Sequence, residues 1–356
     1  MNTQKSFALS ASVAAACLIF ASCTASGNTA GTDVTVSETT AAVSETTAGT
    51  AASETDTSET AASETDAKPV TDRAGNPIEL PDNAEKIISL NPAATQTLID
   101  LGLADKIVAV DEYSMTYADS LAKDIPVYSM YEPDQESIIA LDADIVFTSG
   151  MVYAGGDNPY INVVNAGVCV ADIPSSASIA EIQNDIRFIG ECTGTEDEAE
   201  KIVLDMQNKV DSIKAIGETI PEDKKKTVMF WLSVPGDDYP TVYSIGKGTF
   251  LDEMINDIGA VNAGGTEEGW PAFSEEAAIA LDPDIILHSV SYIPDVKAEI
   301  TSRKGWENVK AVKNGEIYYV DENTSNRPNA HITDAMTEMA KLIYPDEYAS
   351  LESTAE

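Results

Sequence analysis

Glu136 to Ser149 reads ESIIALDADIVFTS and Glu276 to Ser289 reads EAAIALDPDIILHS, and eight of the fourteen positions are identical. Where the copies differ at apolar positions (Val146/Ile286, Phe147/Leu287), the character is kept. Each copy opens with apolar residues three and four apart, as a helix requires. A tight Asp-x-Asp turn follows, and then a β-branched and apolar run suited to a buried parallel strand. A supersecondary unit used twice, 140 residues apart, predicts two similar α/β lobes with function at the cleft between them. Both copies begin with a glutamate in the first turn of the helix.

Alternation of strand and helix surrounds each copy. Strands are expected at Lys86–Leu90, Lys106–Val110 and Val168–Asp172, with helices at Ala93–Gly102 and Ser176–Gly190. A single amphipathic helix follows. Thr195-Glu196-Asp197-Glu198 reads as a capping box; Ala199, Ile202, Val203, Met206, Val210, Ile213 and Ile216 share one face. Gly217 and Pro221 end it. Its twenty or so residues span roughly 30 Å, enough to bridge two lobes. Beyond Lys224-Lys225-Lys226 the alternation restarts, with strands at Thr227–Trp231 and Ile317–Val320 and helices at Thr249–Ile258 and Asn329–Ile343. The expected fold is therefore α/β, with two Rossmann-like lobes joined by one long helix. The N-terminal lobe takes residues 69–192, the connecting helix 193–218 and the C-terminal lobe 219–350.

The first 68 residues stand apart. Lys5 precedes a small-and-apolar run from Phe7 to Ala21, too short for a permanent span and right for a signal peptide over residues 1–22. It ends in Ile19-Phe20-Ala21-Ser22-Cys23, which resembles a bacterial lipobox with Phe20 where leucine is usual, so Cys23 is the expected lipidation site. Ordinary secretion without lipid is the alternative. Residues 23–68 are mostly Ser, Thr, Ala, Gly and acids with SET recurring and no aromatic, Leu or Ile, too little apolar surface to offset the entropy of ordering. They read as a disordered tether holding a body at the outer face of a membrane. The chain of 356 residues carries 21 Lys+Arg against 60 Asp+Glu, a formal charge of −39. That charge disfavours nucleic acid and anionic lipid as partners and favours a cationic docking surface. Its 4 cysteines make no disulfide framework.

KIISLNPAATQTLIDLGLADKIVAVD, the two ALDxDI segments, GTFLDEMINDIGAVNAGG and the single linking helix resemble the substrate-binding proteins of ABC importers. They are closest to the class III periplasmic binding proteins that deliver ferric siderophores, haem or cobalamin. The resemblance covers about Pro69 to Tyr348. It implies a ligand held between the lobes of a monomer, delivery to a membrane permease, no resident cofactor, and an acyl anchor of the kind used in Gram-positive envelopes. It also implies that a glutamate from each lobe, here Glu136 and Glu276, docks on permease arginines; bidentate Arg–carboxylate pairs would set orientation as well as affinity. Helix-dipole preference is the plain alternative for both acids.

Ligand-facing residues are expected on loops after the strands. The N-terminal lobe offers Asn91, Tyr113, Tyr131 and Tyr153; the C-terminal lobe offers Trp231, Tyr243, Trp270 and Tyr292. The resemblance places pocket residues at Trp270 and at Arg327, where a planar cation suits a carboxylate or chelate oxygen. With few cations beside these aromatics, a near-neutral corrinoid or hydroxamate chelate is favoured over a strongly anionic one, and haem ranks third. The two histidines, His288 and His331, both lie in the second half, so no metal site drawn from both lobes is expected, though one of them, or a tyrosine, suits an axial haem ligand. Cys169 and Cys192 are either bridged or two separate buried thiols. A secreted esterase-like or cofactor-dependent enzyme is the alternative function; HExxH, GxSxG and CxxC are all missing, and Gly246-Lys247-Gly248-Thr249 has Thr241 where a phosphate loop needs glycine.

Overall fold

A computed structural model describes residues 68–150, 158–237 and 239–351. The signal segment, Cys23, almost all of the tether and Tyr153 lie outside the described residues. All described residues belong to one unit, Glu64–Glu356.

Its first half is built from β1 (Ile87–Ser89), α1 (Pro92–Asp100), β2 (Ile107–Asp111), β3 (Val127–Tyr128), α2 (Gln135–Ala140), β4 (Ile145–Ser149), α3 (Ile161–Asn165), β5 (Cys169–Ile173) and α4 (Ile179–Thr193). The five strands form one parallel sheet in the order β3-β2-β1-β4-β5. β1 and β4 are buried at every residue, because helices cover both faces of the sheet; that is why their sequences run apolar rather than alternating. Ile87, Ile145 and Phe147 face an inner core, while Ile88 and Val146 face an outer one with Ile138 and Tyr160.

α5 (Glu196–Gly217) carries three acids in its first turn and Lys214 in its last, both favourable to the helix dipole. Its 22 residues span roughly 33 Å. Ala199, Val203, Met206, Val210 and Ile213 are buried along one stripe, in the same cluster as Ile182 and Ile186 of α4. Thr195 departs from the expected capping box. Its side chain makes no cap bond and pairs instead with the Thr193 hydroxyl at 2.9 Å, because one left-handed residue, Gly194 (φ 70°), is all that separates Thr195 from the end of α4.

The second half comprises β6 (Thr227–Trp231), β7 (Thr241–Tyr243), α6 (Phe250–Asp257), β8 (Val261–Asn262), β9 (Ala272–Ser274), α7 (Glu275–Ala280), β10 (Ile285–His288), α8 (Val296–Ser302), α9 (Lys310–Asn314), β11 (Ile317–Tyr319), α10 (Glu322–Ser325) and α11 (Ile332–Ile343). Four strands form a second parallel sheet, β11-β10-β6-β8, and β7 with β9 makes a separate antiparallel ribbon. The two parallel sheets stay separate. One apolar cluster runs from Ile87 in the first sheet through α4 and α5 to Leu251, Met336 and Ile343 in the second half. The end of α5 meets the end of α6 at Gly217, where a Cβ would stand 2.2 Å from the Asp257 carbonyl oxygen. Only glycine permits that approach.

Cys169 on β5 and Cys192 on α4 are buried free thiols, so the possible bridge is not formed. Burial pushes the Cys169 thiol up to about 11 and raises Cys192 as well, leaving both protonated and unreactive near neutral pH.

Candidate functional site

The strand ends carry the candidate ligand residues, and the N-terminal group is held rigidly. Asp111, the last residue of β2, is buried and accepts the Tyr113 and Ser114 backbone N–H groups at 2.8 and 3.0 Å. This caps the 3-10 segment Glu112–Ser120. Glu112 accepts the Met130 N–H at 3.0 Å, tying in the strand end that bears Tyr131. Tyr113, 40% exposed, and Tyr131 stand edge to face with ring centres 6.4 Å apart. Burial, with the neighbouring Tyr113 hydroxyl, pushes the Tyr131 phenol up to about 12. At neutral pH this ring is therefore a protonated, hydrogen-bonding phenol.

Tyr292, 52% exposed, accepts the Val234 N–H at 3.4 Å and stands beyond the end of β10. Tyr243 and Trp270 are half-buried; Trp270 leans on Phe250 with centres 6.3 Å apart and packs against the inner core. Two expected ligand residues have other work. Trp231 is fully buried, pairs in register with His288, and lies edge to face on Trp306 at 4.8 Å. It is a core residue of the second sheet. Asn91 caps α1: its Oδ1 accepts the Ala93 and Ala94 N–H groups, and its Nδ2 donates to the Thr148 and Ile173 carbonyls at 3.4 Å each. Two donors and two acceptor sites are all the side chain has, so none is left for a ligand.

Sequence reasoning overlooked Tyr319. It ends β11 beside His288, 42% exposed, with the two rings 5.6 Å apart. His288 itself is buried, and desolvation lowers its pKa, so the imidazole is neutral. The alternation along β11, with Ile317 in a second-half core cluster beside Ile286 and Trp306, was the signal that put Tyr319 on the same face as His288 at the strand end.

Arg327 is placed between the lobes. Its Nη2 donates to the Tyr113 carbonyl at 3.2 Å, and its guanidinium lies 5.1 Å from the centre of the Tyr117 ring. A cavity of about 250 Å³ lies between α5 and the start of α11, bordered by Asp100, Asp205, Met206, Lys209 and His331. Among the described residues no group of three or more His, Cys, Asp and Glu side chains is arranged to hold a metal.

Glu136 and Glu276 occupy equivalent points in the first turns of α2 and α7, both exposed. Among the described residues neither makes an ion pair or hydrogen bond with its side chain. The residues just before them face inward. Gln135 accepts the Asn162 N–H at 2.9 Å; Glu275 takes Arg303 at 3.0 Å and the Trp306 indole N–H at 2.9 Å. In each lobe the structural polar contact falls on the first residue of the helix and leaves the glutamate after it unengaged.

Residues 87–324 match the model of the periplasmic binding proteins. The chain belongs to that family. It is 31% identical over 283 residues to the uncharacterized ABC transporter substrate-binding lipoprotein YvrC of Bacillus subtilis, covering 79% of this chain and 87% of that one. The cobalamin-binding protein of Halobacterium salinarum is 27% identical over 287 residues, or 78% of this chain and 74% of that one. Among solved structures, a possible iron-binding periplasmic solute-binding protein from Staphylococcus epidermidis superimposes with a TM-score of 0.64 at 26% identity, covering 74% of this chain and all of that one.

Proposed function

We propose that this periplasmic binding protein is the ligand-capturing component of an ABC importer, anchored through Cys23 and specific for a bulky, near-neutral chelate, a cobalamin-type corrinoid before a ferric hydroxamate. One observation carries the reading. The strand ends present the exposed phenol rings Tyr113, Tyr292 and Tyr319, while the arginine among them, Arg327, is already engaged by the Tyr113 carbonyl and the Tyr117 ring. A multiply anionic catecholate or citrate complex would need cations to offset its desolvation. A large ligand with an apolar face and amide edges is matched by aromatic rings with polar tips. The Halobacterium relative's name points the same way. No catalytic role is assigned to any side chain, and hydrolysis of simple esters is not expected.

Titrating the purified protein with cyanocobalamin, haemin and ferric hydroxamate and catecholate complexes, by calorimetry, tests the reading. Saturable one-to-one binding of the corrinoid is expected, weakened at least about tenfold in Tyr113→Ala or Tyr292→Ala, the loss of about 1.4 kcal/mol of ring contact. Binding of a sugar or a peptide with no response to any chelate would overturn the ligand class.

A further inference from the structure

The segment from Asn326 to Asp334, between α10 and the first turn of α11, touches the other lobe twice. Arg327 reaches the Tyr113 carbonyl and the Tyr117 ring on the segment Glu112–Ser120. Four residues on, His331 places Nε2 at 3.3 and 3.2 Å from the two carboxylate oxygens of Asp100, at the end of α1. The stretch between these contacts is stiff. Pro328 fixes one φ, the Asn329 N–H donates to the Arg327 carbonyl at 2.8 Å, and the Asn329 side chain accepts the His331 N–H at 2.9 Å. The partners are aligned as well. Gln96 holds Asp100 at 2.8 Å from one turn away, and Asp334 meets His331 Nδ1 at 3.1 Å. Asp334 also pairs with Lys209 of α5 at 3.2 Å. The run Lys209–Asp334–His331–Asp100 thus joins the connecting helix, the C-terminal lobe and the N-terminal lobe.

We propose that Arg327 and His331 form an interlobe clasp: they are positioning residues that fix the aromatic segment Glu112–Ser120, and with it the aperture of the site, without touching the ligand. The proposal rests on the reading of Tyr113 as ligand-facing, but the clasp contacts involve protein groups alone and are testable without ligand. Charge decides its range. Asp100 from α1 and Asp334 from α11 contact the imidazole, and Asp205 and Lys209 from α5 line the same cavity. Asp100 first, and then Asp334, push the His331 pKa up to about 9. The imidazolium contact is therefore complete below the ordinary histidine range and is lost as pH rises through about 9.

Hydrogen exchange of the ligand-free full chain near neutral pH tests the clasp. His331→Gln and Asp100→Asn should each speed exchange of Glu112–Ser120 about fivefold, the effect of losing about 1 kcal/mol at a partly exposed ion pair. Arg327→Lys should do the same, because a lysine cannot hold the planar contact over Tyr117. The chain has 2 histidines, so the His331 imidazole resonance is identified by its absence in His331→Gln. It should titrate near 9 in the parent and fall toward the ordinary range in Asp100→Asn. Exchange of Glu112–Ser120, corrected for its intrinsic rate, should rise through that same pH window in the parent and stay level in Asp100→Asn. Parent-like exchange of Glu112–Ser120 in all three variants, or acceleration confined to residues around the substituted one, would overturn the clasp. Failure of the corrinoid to bind while exchange responds as described would remove the ligand assignment alone.

Discussion

Asp172 is a buried side chain whose ionisation opposes folding. It lies near the end of β5, 2% exposed, with one oxygen accepting the Thr148 hydroxyl at 2.8 Å. Its own backbone N–H goes to the buried carboxylate of Asp72 at 3.0 Å. Burial raises its pKa to about 6; the Thr148 hydrogen bond opposes the rise and the Asp72 charge adds to it. An unfolded chain releases this proton at about pH 4 and the folded chain near 6, so between those values the folded state binds more protons. Stability from this group falls as pH rises through the window and is level above it, by up to about 3 kcal/mol in all. Asp172→Asn should remove that slope, so urea midpoints of variant and parent should draw apart from pH 4 to 6.5. Parallel midpoints would show that the carboxyl ionises freely. Residues of this kind were illegible in the sequence, because their environment comes from distant chain. Trp231 shows the same limit: a tryptophan ending a buried strand reads as a cleft residue until Trp306, 75 positions on, is seen packed against it.

At the scale of elements, the repeat owes its form to its second aspartate. Asp144 accepts the Glu85 and Lys86 N–H groups, both at 2.8 Å, and so stitches the start of β4 to the start of β1. Asp284 does the same for β10 and β6 through the Thr227 N–H and hydroxyl, both at 2.9 Å. The first aspartates turn the chain: Asp142 and Asp282 sit at φ 52° and 44°, where glycine is at ease. Asp282 also accepts the Lys310 N–H at 3.0 Å, while among the described residues Asp142 meets only the exposed Lys86 ammonium at 3.5 Å. Asp144→Ala should therefore cost about 1–3 kcal/mol, because two backbone donors lose their acceptor. Asp142→Gly should be neutral or stabilise by up to about 1 kcal/mol, since relief of the left-handed strain competes with the looser unfolded chain. Denaturant unfolding of the two variants checks the order, and a larger loss in Asp142→Gly would refute it. The period of the apolar residues made the repeat, both parallel sheets and α5 legible, since each is decided by local alternation and burial. β7, β8 and β9 went unseen because two or three residues carry no period, and β7 finds its partner β9 only across a long loop, Thr241 opposite Ser274. The capping box at Thr195 was misread because a left-handed glycine one residue earlier had already set the turn.

For the whole molecule, electrostatics and symmetry of the repeat act together. A chain of formal charge −39 repels anionic surfaces and is drawn to cationic ones over the Debye length, so orientation has to come from particular charges. Glu136 and Glu276 can supply that orientation. They are exposed, equivalent by the repeat, and without a side-chain partner among the described residues, while Gln135 and Glu275 beside them carry the structural contacts. Two carboxylates fixed on separate lobes define a line on the protein, and a permease with an arginine for each would receive it in one orientation. Glu136→Ala and Glu276→Ala should each leave corrinoid affinity unchanged and lower stimulation of permease ATPase about tenfold, with the double variant lower still. Added salt should weaken the parent's stimulation and narrow its difference from the variants, because the contact is formed between solvated charges. The control is Glu275→Gln, which loosens the Arg303 contact and should reduce stability more than docking. Loss of ligand binding in either alanine variant would assign these acids to the site instead, and an ATPase response indifferent to both would leave the permease contact to other residues.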